Sequence, residues 1–277
     1  MLAPVVLACI VVSYPYPLFV LALLAVTLSF WELRQLLKAP RTLPVLTLLA
    51  IALPFFAAEV ITNRNPIQLA AYSFLFFVLG SGFAFVGSGR YLGSTATTDL
   101  AGLWIASPLA CILMLHSEAT PTQMLTASHQ LVHQGPLLEP RSAVLLVFVP
   151  LWLADIAGML AGKYLGKRLL WPSVSPKKTV VGSVANLLTA VGSALLLSLW
   201  IQHPPTFSKP IACYLVCGLF VGVFGQLGDL FESYIKRQRG VKDSGTVIPG
   251  HGGVLDRIDS LLFSAPFVVM ALLLWPA

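Results

Sequence analysis

Charge is what this chain has least of. Only 10% of its 277 residues are Asp, Glu, Lys or Arg, against roughly a quarter in a soluble domain. No polar stretch approaches the roughly 100 residues of a common soluble domain, so an ordinary soluble fold is excluded. Acids are the scarcer sign, 11 against 17 basic residues, for a net charge of +6. In a chain that is 57% hydrophobic, that excess reports orientation and contact with anionic head groups. No nucleic-acid partner is expected. Cysteine is equally sparse: Cys9, Cys111, Cys213 and Cys217 all lie in apolar stretches, and no disulfide framework is implied. Cys213 and Cys217 stand one helical turn apart, but no His or further Cys accompanies them, so they read as small packing residues and not a metal pair. Internal repeats and low-complexity tracts are absent. Met1–Val12 has no basic leader and no small-residue cleavage site, which favours a short first helix over a removable signal peptide.

What the chain has in abundance is apolar length. A helix needs about 20 apolar residues to cross the hydrocarbon core. Candidate spans are Met1–Ser13 (short), Pro17–Leu37, Thr42–Val60, Pro66–Phe85, Leu100–His116, Arg141–Ala161, Val180–Gln202, Ile211–Phe231 and Ile258–Trp275. The expected fold is an all-α, polytopic transmembrane helix bundle of about eight to nine spans. If alternate loops share a side, fourteen of the basic residues fall on one face and three (Arg64, Arg141 and Lys209) on the other. That asymmetry places the 163–178 loop and the charged 232–257 segment together on the cytoplasmic side of the inner membrane. The polar linker 117–140 falls on the opposite side. Its His129 and His133 have i, i+4 spacing but no third ligand nearby, so a metal role is disfavoured there. The chain also divides by chemistry. Five acids, including Glu32, are scattered over residues 1–140; residues 141–277 hold six, most of them in motifs. The first part reads as a transmembrane scaffold and the second as the catalytic region.

The densest chemistry runs from Gly228 to Ser260, thirty-three residues with five carboxylates and five basic side chains wedged between two lipid-soluble stretches. Ionisable groups at membrane depth are costly and mark function by default. Carboxylates can hold a hard cation such as Mg²⁺, and Lys and Arg can hold phosphates. Both together at a membrane point to phosphoryl or nucleotidyl chemistry on a lipid. Asp229, Ser233 and Lys236 are spaced to share one helix face. Asp256 and Asp259 begin the last helix, where the dipole alone favours acids. Between them Ile248-Pro249-Gly250-His251-Gly252-Gly253 allows close backbone approach. It can present N–H groups to a phosphate, or it is an ordinary tight turn. His251 fits a base, a phosphate donor or a structural cap equally well. A second cluster holds Asp155, then Gly162, Lys163, Gly166, Lys167 and Arg168, then Ser175-Pro176-Lys177-Lys178-Thr179. Lys177 and Lys178 precede a helix, where cations oppose the dipole, which favours anion binding or positive-inside anchoring. The glycines at 158, 162 and 166 and at 218 and 222 match small-residue helix packing.

These residues resemble the CDP-diacylglycerol synthases, or phosphatidate cytidylyltransferases. The C-terminal signature of that family is met by Ser233, Lys236-Arg237, Lys242-Asp243, Gly245, Ile248-Pro249, His251-Gly252-Gly253 and Asp256-Arg257-Ile258-Asp259. Its second motif is met by Asp155 and by Ser175-Pro176-Lys177-Lys178-Thr179. The likeness is close over about residues 150–277 and only topological before that. A common Gly pair after the second motif is replaced here by Ala185-Asn186. The resemblance implies that CTP and phosphatidate give CDP-diacylglycerol and pyrophosphate, with Mg²⁺, and it leaves open whether one metal ion or a second acts. It implies Asp229 and Asp256 as metal ligands, with Ser233, Asp243 and Asp259 as further ligands or their support. It places Lys236, Arg237, Lys242 and Arg257 on the triphosphate or phosphatidate, and Lys177 and Lys178 over the nucleotide. His251, Gly252, Gly253 and Asp155 complete the expected site, which opens sideways to membrane lipid. The family also suggests a homodimer. Rival readings are another CTP-dependent lipid enzyme, acting on an ether lipid or a lipid alcohol, and an ion-coupled transporter using Asp155 and Asp229. The last predicts midplane acids on broken helices, whereas these cluster with cations at one edge.

Overall fold

A computed structural model describes residues 2–11, 16–38, 66–88, 95–117, 140–201, 210–247, 250 and 252–275. The expected span Thr42–Val60, the His129/His133 pair and His251 lie outside them. Among the described residues there are nine helices: α1 (Leu2–Val11), α2 (Tyr16–Leu37), α3 (Pro66–Ser88), α4 (Thr95–Ala101), α5 (Leu103–Ser117), α6 (Pro140–Leu165), α7 (Val180–Ile201), α8 (Ile211–Gln238) and α9 (Leu255–Leu274). Strands β1 (Leu169–Trp171) and β2 (Ser175–Thr179) lie between α6 and α7.

Among the described residues, five helices are long and apolar enough to cross a membrane: Tyr16–Leu37, Ala143–Leu165, Val180–Trp200, Ile211–Gln238 and Leu255–Leu274. Ala71–Val86 and Thr98–Leu113 are shorter apolar segments. The chain is therefore a membrane-integrated, mostly helical protein, with one departure from all-α. The 163–178 stretch does not run as a plain loop. It folds back as an antiparallel hairpin that pairs Leu169 with Thr179 and Trp171 with Ser175, with an irregular register between. The hairpin delivers Lys177 and Lys178 on a strand, and the Thr179 hydroxyl then accepts the Gly182 amide at 3.1 Å, capping the start of α7.

The apolar run Leu100–His116, expected as one span, is interrupted. Gly102 separates α4 from α5, its amide bonding Thr98 and Asp99 carbonyls at 3.0 and 3.2 Å. Conversely α8 outruns its expected end at Phe231 by two turns. Apolarity stops there, but helix-compatible residues continue to Gln238.

Packing follows chain order through the second half, α6 on α7, α7 on α8 and α8 on α9. Small residues set the spacing. A Cβ on Gly182 would sit 2.7 Å from the Gly158 carbonyl oxygen, and one on Gly218 2.7 Å from the Val191 Cα. At Gly228 an added Cβ would run into the Asp259 carbonyl oxygen, so α8 and α9 touch backbone to backbone beside Asp229. Helices α3 and α5 cover the other side of α9 through a cluster of aromatic rings. Phe77 meets Phe263 of α9 edge-on at 5.1 Å, and Trp104 lies between Phe263 at 6.3 Å and Phe231 of α8 at 5.0 Å.

Gly228→Ala is therefore expected to lower stability by about 1–3 kcal/mol, because the obstacle is backbone and cannot rotate away. Gly192→Ala, with nothing within 4 Å of its Cβ position, should leave the melting temperature in detergent unchanged or slightly raised.

Candidate active site

Helix periodicity in α8 orders the first part of the site. Asp229 and Ser233 are i, i+4, and the Ser233 hydroxyl donates to Asp229 Oδ1 at 3.3 Å. The other oxygen, Oδ2, takes Lys178 Nζ at 2.7 Å, so the hairpin strand docks its lysine on the α8 carboxylate. Across from them on α6, Asp155 Oδ1 accepts Asn186 Nδ2 of α7 at 3.2 Å. The expected row Asp229–Ser233–Lys236 does not extend to its third member. Lys236 is also i+4 from Glu232, and its ammonium turns to Glu232 Oε2 at 3.0 Å and to Asp256 Oδ1 of α9. In this arrangement Lys236 is buried and paired with two carboxylates, and it also lines the cavity that holds Asp229 and Asp256.

Asp256 is held by donors on every side. Besides Lys236, its Oδ2 accepts the amide of Ser244 at 3.0 Å, the hydroxyl of Ser244 at 3.1 Å and the amide of Gly253 at 2.8 Å. The expected use of the glycine loop is revised accordingly. The Gly253 amide is occupied by Asp256, and the next two amides, Val254 and Leu255, donate to Glu32. These N–H groups are taken by protein carboxylates and are not offered to a phosphate. Gly252 still needs its glycine: φ is +85° and a Cβ there would lie 2.9 Å from Asp256 Oδ2.

The remaining expected residues fall into two groups. Asp243, Lys177 and Arg257 are exposed, and all three line the same cavity as Asp155, Lys178, Asp229, Asp256 and Asp259. Lys242 is exposed but absent from that lining. Arg237 ties structure together: its Nε donates to the Val174 carbonyl at 3.3 Å and its guanidinium to the Val241 carbonyl at 2.9 Å, linking the hairpin turn to the end of α8. Asp259 is buried, with Oδ1 accepting the Ser260 amide at 2.7 Å.

The cavity measures roughly 1630 Å³. Its walls divide by polarity. Helices α6 to α9 and β2 contribute the charged and amide groups, whereas α2 and α5 contribute only apolar side chains such as Leu18, Leu21, Leu28, Leu109 and Ile112. An anionic ligand with a hydrocarbon tail matches both halves.

The donor set fits a hard divalent cation. Asp155 and Asp259 each lie near enough to Asp229 to be repelled by it. Glu232, fully buried with Oε1 unsatisfied, adds to this charge. The cavity wall itself carries five carboxylates (Asp155, Asp229, Asp243, Asp256 and Asp259) and five cations (Lys163, Lys177, Lys178, Lys236 and Arg257), and of these cations Lys178 and Lys236 are already paired, with Asp229 and Asp256. Among the described residues, no three His, Cys, Asp or Glu side chains form a complete metal-binding group. A Mg²⁺ ion held by one or two carboxylates, with water and substrate phosphate filling its shell, is the usual arrangement for that ion. Asp229, whose carboxylate is 36% exposed, and neighbouring Asp259 are the groups best placed to hold it. Asp256, encircled by donors, has the least capacity left.

Two of these residues had weak or no sequence signal. Glu232 carried only its i, i+4 spacing to Lys236 as a signal. Glu32 lies 212 residues before Ser244 and carries no local motif.

Comparison with known proteins places the chain in a family. Residues 1–275 match the Cytidylyltransferase family. Phosphatidate cytidylyltransferase of Bacillus subtilis is 47% identical over 127 residues, 46% of each chain. That of Staphylococcus saprophyticus is 40% identical over 130 residues, 47% of this chain and 48% of the relative. In these two relatives the matched region spans about half of their length. Phosphatidate cytidylyltransferase of Staphylococcus haemolyticus is 30% identical over 260 residues, 92% of this chain and 88% of the relative. By the reach of the family match and of the last relative, the chain belongs to the cytidylyltransferase family.

Proposed function

We propose that this protein is a phosphatidate cytidylyltransferase of the bacterial inner membrane, joining CTP and phosphatidate to give CDP-diacylglycerol and pyrophosphate. The observation that carries the reading is the single cavity in which the carboxylates and lysines of both motifs share walls with the apolar faces of α2 and α5. The family membership and the names of the three relatives support it.

In the reaction a phosphate oxygen of phosphatidate attacks the α-phosphorus of CTP, and the bond to pyrophosphate breaks. The lipid phosphate is already ionised, so no protein nucleophile and no strong base is required. Two anions must meet, and the task of the site is to neutralise charge and fix geometry. Lys178, on the hairpin facing Asp229, and Lys177 and Arg257, exposed at the cavity, are the cations suited to phosphates. Ser233 orients Asp229 and Asn186 orients Asp155. Asp229 and Asp259, with Asp243 and Asp256 beside them, would hold Mg²⁺, which would supply charge neutralisation for the phosphoryl chemistry. The apolar walls receive the lipid from the leaflet side.

The wider arrangement follows the same reading. Residues 141–277 form the catalytic region and 1–140 the scaffold, in a bundle of about eight to nine spans with the site facing the cytoplasm. CTP and phosphatidate are its partners in membrane lipid, and the protein works as a homodimer. The deciding experiment is incorporation of labelled CTP into lipid by purified protein, with and without Mg²⁺, offering phosphatidate, an ether-lipid phosphate and a lipid alcohol in parallel. Phosphatidate-dependent, Mg²⁺-dependent label in lipid with release of pyrophosphate is expected. Preference for another acceptor, or none for any, would overturn the assignment.

A further inference from the structure

Glu32 sits on α2, in the half of the chain with no family motif, yet it reaches into the motif loop. It is 1% exposed. A carboxylate so deep is costly unless fully hydrogen-bonded, and all the bonds recorded for it come from one stretch of the far half. Oε1 accepts the Val254 amide at 2.8 Å; Oε2 accepts the Leu255 amide at 2.8 Å and the Ser244 hydroxyl at 3.0 Å. The start of α9 has no side-chain cap of its own, its N-cap residue being Val254. Glu32 therefore acts as a remote cap, with its charge at the positive end of the helix dipole.

Two signature glycines are shaped around this carboxylate. A Cβ on Gly245 would lie 2.8 Å from Glu32 Oε1, and one on Gly253 2.5 Å from Oε2. The Ser244 hydroxyl stands between Glu32 Oε2 and Asp256 Oδ2, at 3.0 and 3.1 Å. The same groups that Glu32 fixes, Ser244 and the 253–255 turn, are those that aim Asp256. We propose that Glu32 is a positioning residue for the reaction. It clamps Ser244 and the 253–255 turn together at the start of α9, and through Ser244 and Gly253 it sets the direction of the Asp256 carboxylate at the cavity wall. This rests on the function proposed above for its catalytic readout, but not for its structural one.

The test compares Glu32→Gln with Ser29→Ala, a buried change one turn away on α2 with no recorded hydrogen-bond partner to lose. Gln keeps the size, but its NH₂ faces a donor whichever way the amide turns. In purified, folded Glu32→Gln, backbone hydrogen exchange in the 244–255 segment should rise at least about tenfold while that of α7 is unchanged, and Ser29→Ala should behave as wild type. Unchanged exchange in that segment would overturn the clamp whatever the enzyme does. For turnover, kcat per folded molecule should fall about 10- to 100-fold with KM for CTP nearly constant, since a misaimed group loses rate before affinity. Glu32→Asp, which keeps the charge, should recover part of the loss. Combining Glu32→Gln with Ser244→Ala should cost little more than the worse single change. Additive losses, or full kcat in Glu32→Gln, would reject the positioning role. A wild-type protein inactive with phosphatidate would reject the proposed reaction and leave the exchange result to decide the clamp.

Discussion

Asp229→Asn is expected to cut CTP-dependent turnover by about 10³-fold while the protein inserts and melts like wild type. The two halves of that expectation have separate causes. Structurally, Asp229 is lightly committed: it has one serine donor and one lysine partner, and the Lys178–Asp229 pair is partly exposed, 24% and 36% by side chain. Pairs of that kind contribute about 0–1 kcal/mol. An amide can keep the Ser233 bond through its oxygen. Chemically, the change removes the charge at the place where carboxylates of α6, α8 and α9 crowd together and leaves Lys178 without its counter-ion. Cation affinity should fall with it. Raising Mg²⁺ over a wide range separates the outcomes: partial recovery at high Mg²⁺ supports a ligand role. Near-normal turnover at ordinary Mg²⁺ would end the assignment of Asp229.

The mostly helical, membrane-integrated character was legible from apolar runs, because a membrane permits little besides helices there. The convergence of Asp155, Lys178, Asp229 and Asp256 was legible only as motif resemblance, since spacing cannot bring residues on different helices together. Where reading by run length failed, the reasons are local. Gly102 breaks an apolar stretch that hydropathy scores as continuous. α8 continues past Phe231 because backbone hydrogen bonding does not depend on apolarity. The β1–β2 hairpin spans eleven residues with two prolines and shows no alternating pattern. Lys236 had two partners at helical spacing, Asp229 at i−7 and Glu232 at i−4, and the nearer turn won, helped by Asp256 from α9. Glu32 was beyond reach in another sense: a lone acid in an apolar helix says that it needs partners, but not which of the remaining residues supply them.

Asp256→Asn should be the more damaging change of the two signature aspartates, and in a different way. Every recorded partner of its carboxylate is a donor: Lys236 and the Ser244 amide at one oxygen, and the Ser244 amide, the Ser244 hydroxyl and the Gly253 amide at the other. An asparagine must turn its NH₂ toward one of these sets, so a donor faces donors in either orientation. Lys236, 9% exposed by side chain, keeps only Glu232. Breaking one arm of a buried charge network costs about 3 kcal/mol or more. The expected result is a melting temperature in detergent lowered by several degrees together with turnover reduced at least about 10³-fold, and high Mg²⁺ should restore neither. Asp256→Asn combined with Lys236→Met and Glu232→Gln tests the origin of the instability, because it removes the stranded ammonium together with the buried carboxylate it pairs with. Recovery of thermal stability without recovery of turnover is expected. A variant as stable as wild type from Asp256→Asn alone would mean that the donors can release this carboxylate, making it as free to hold a cation as Asp229.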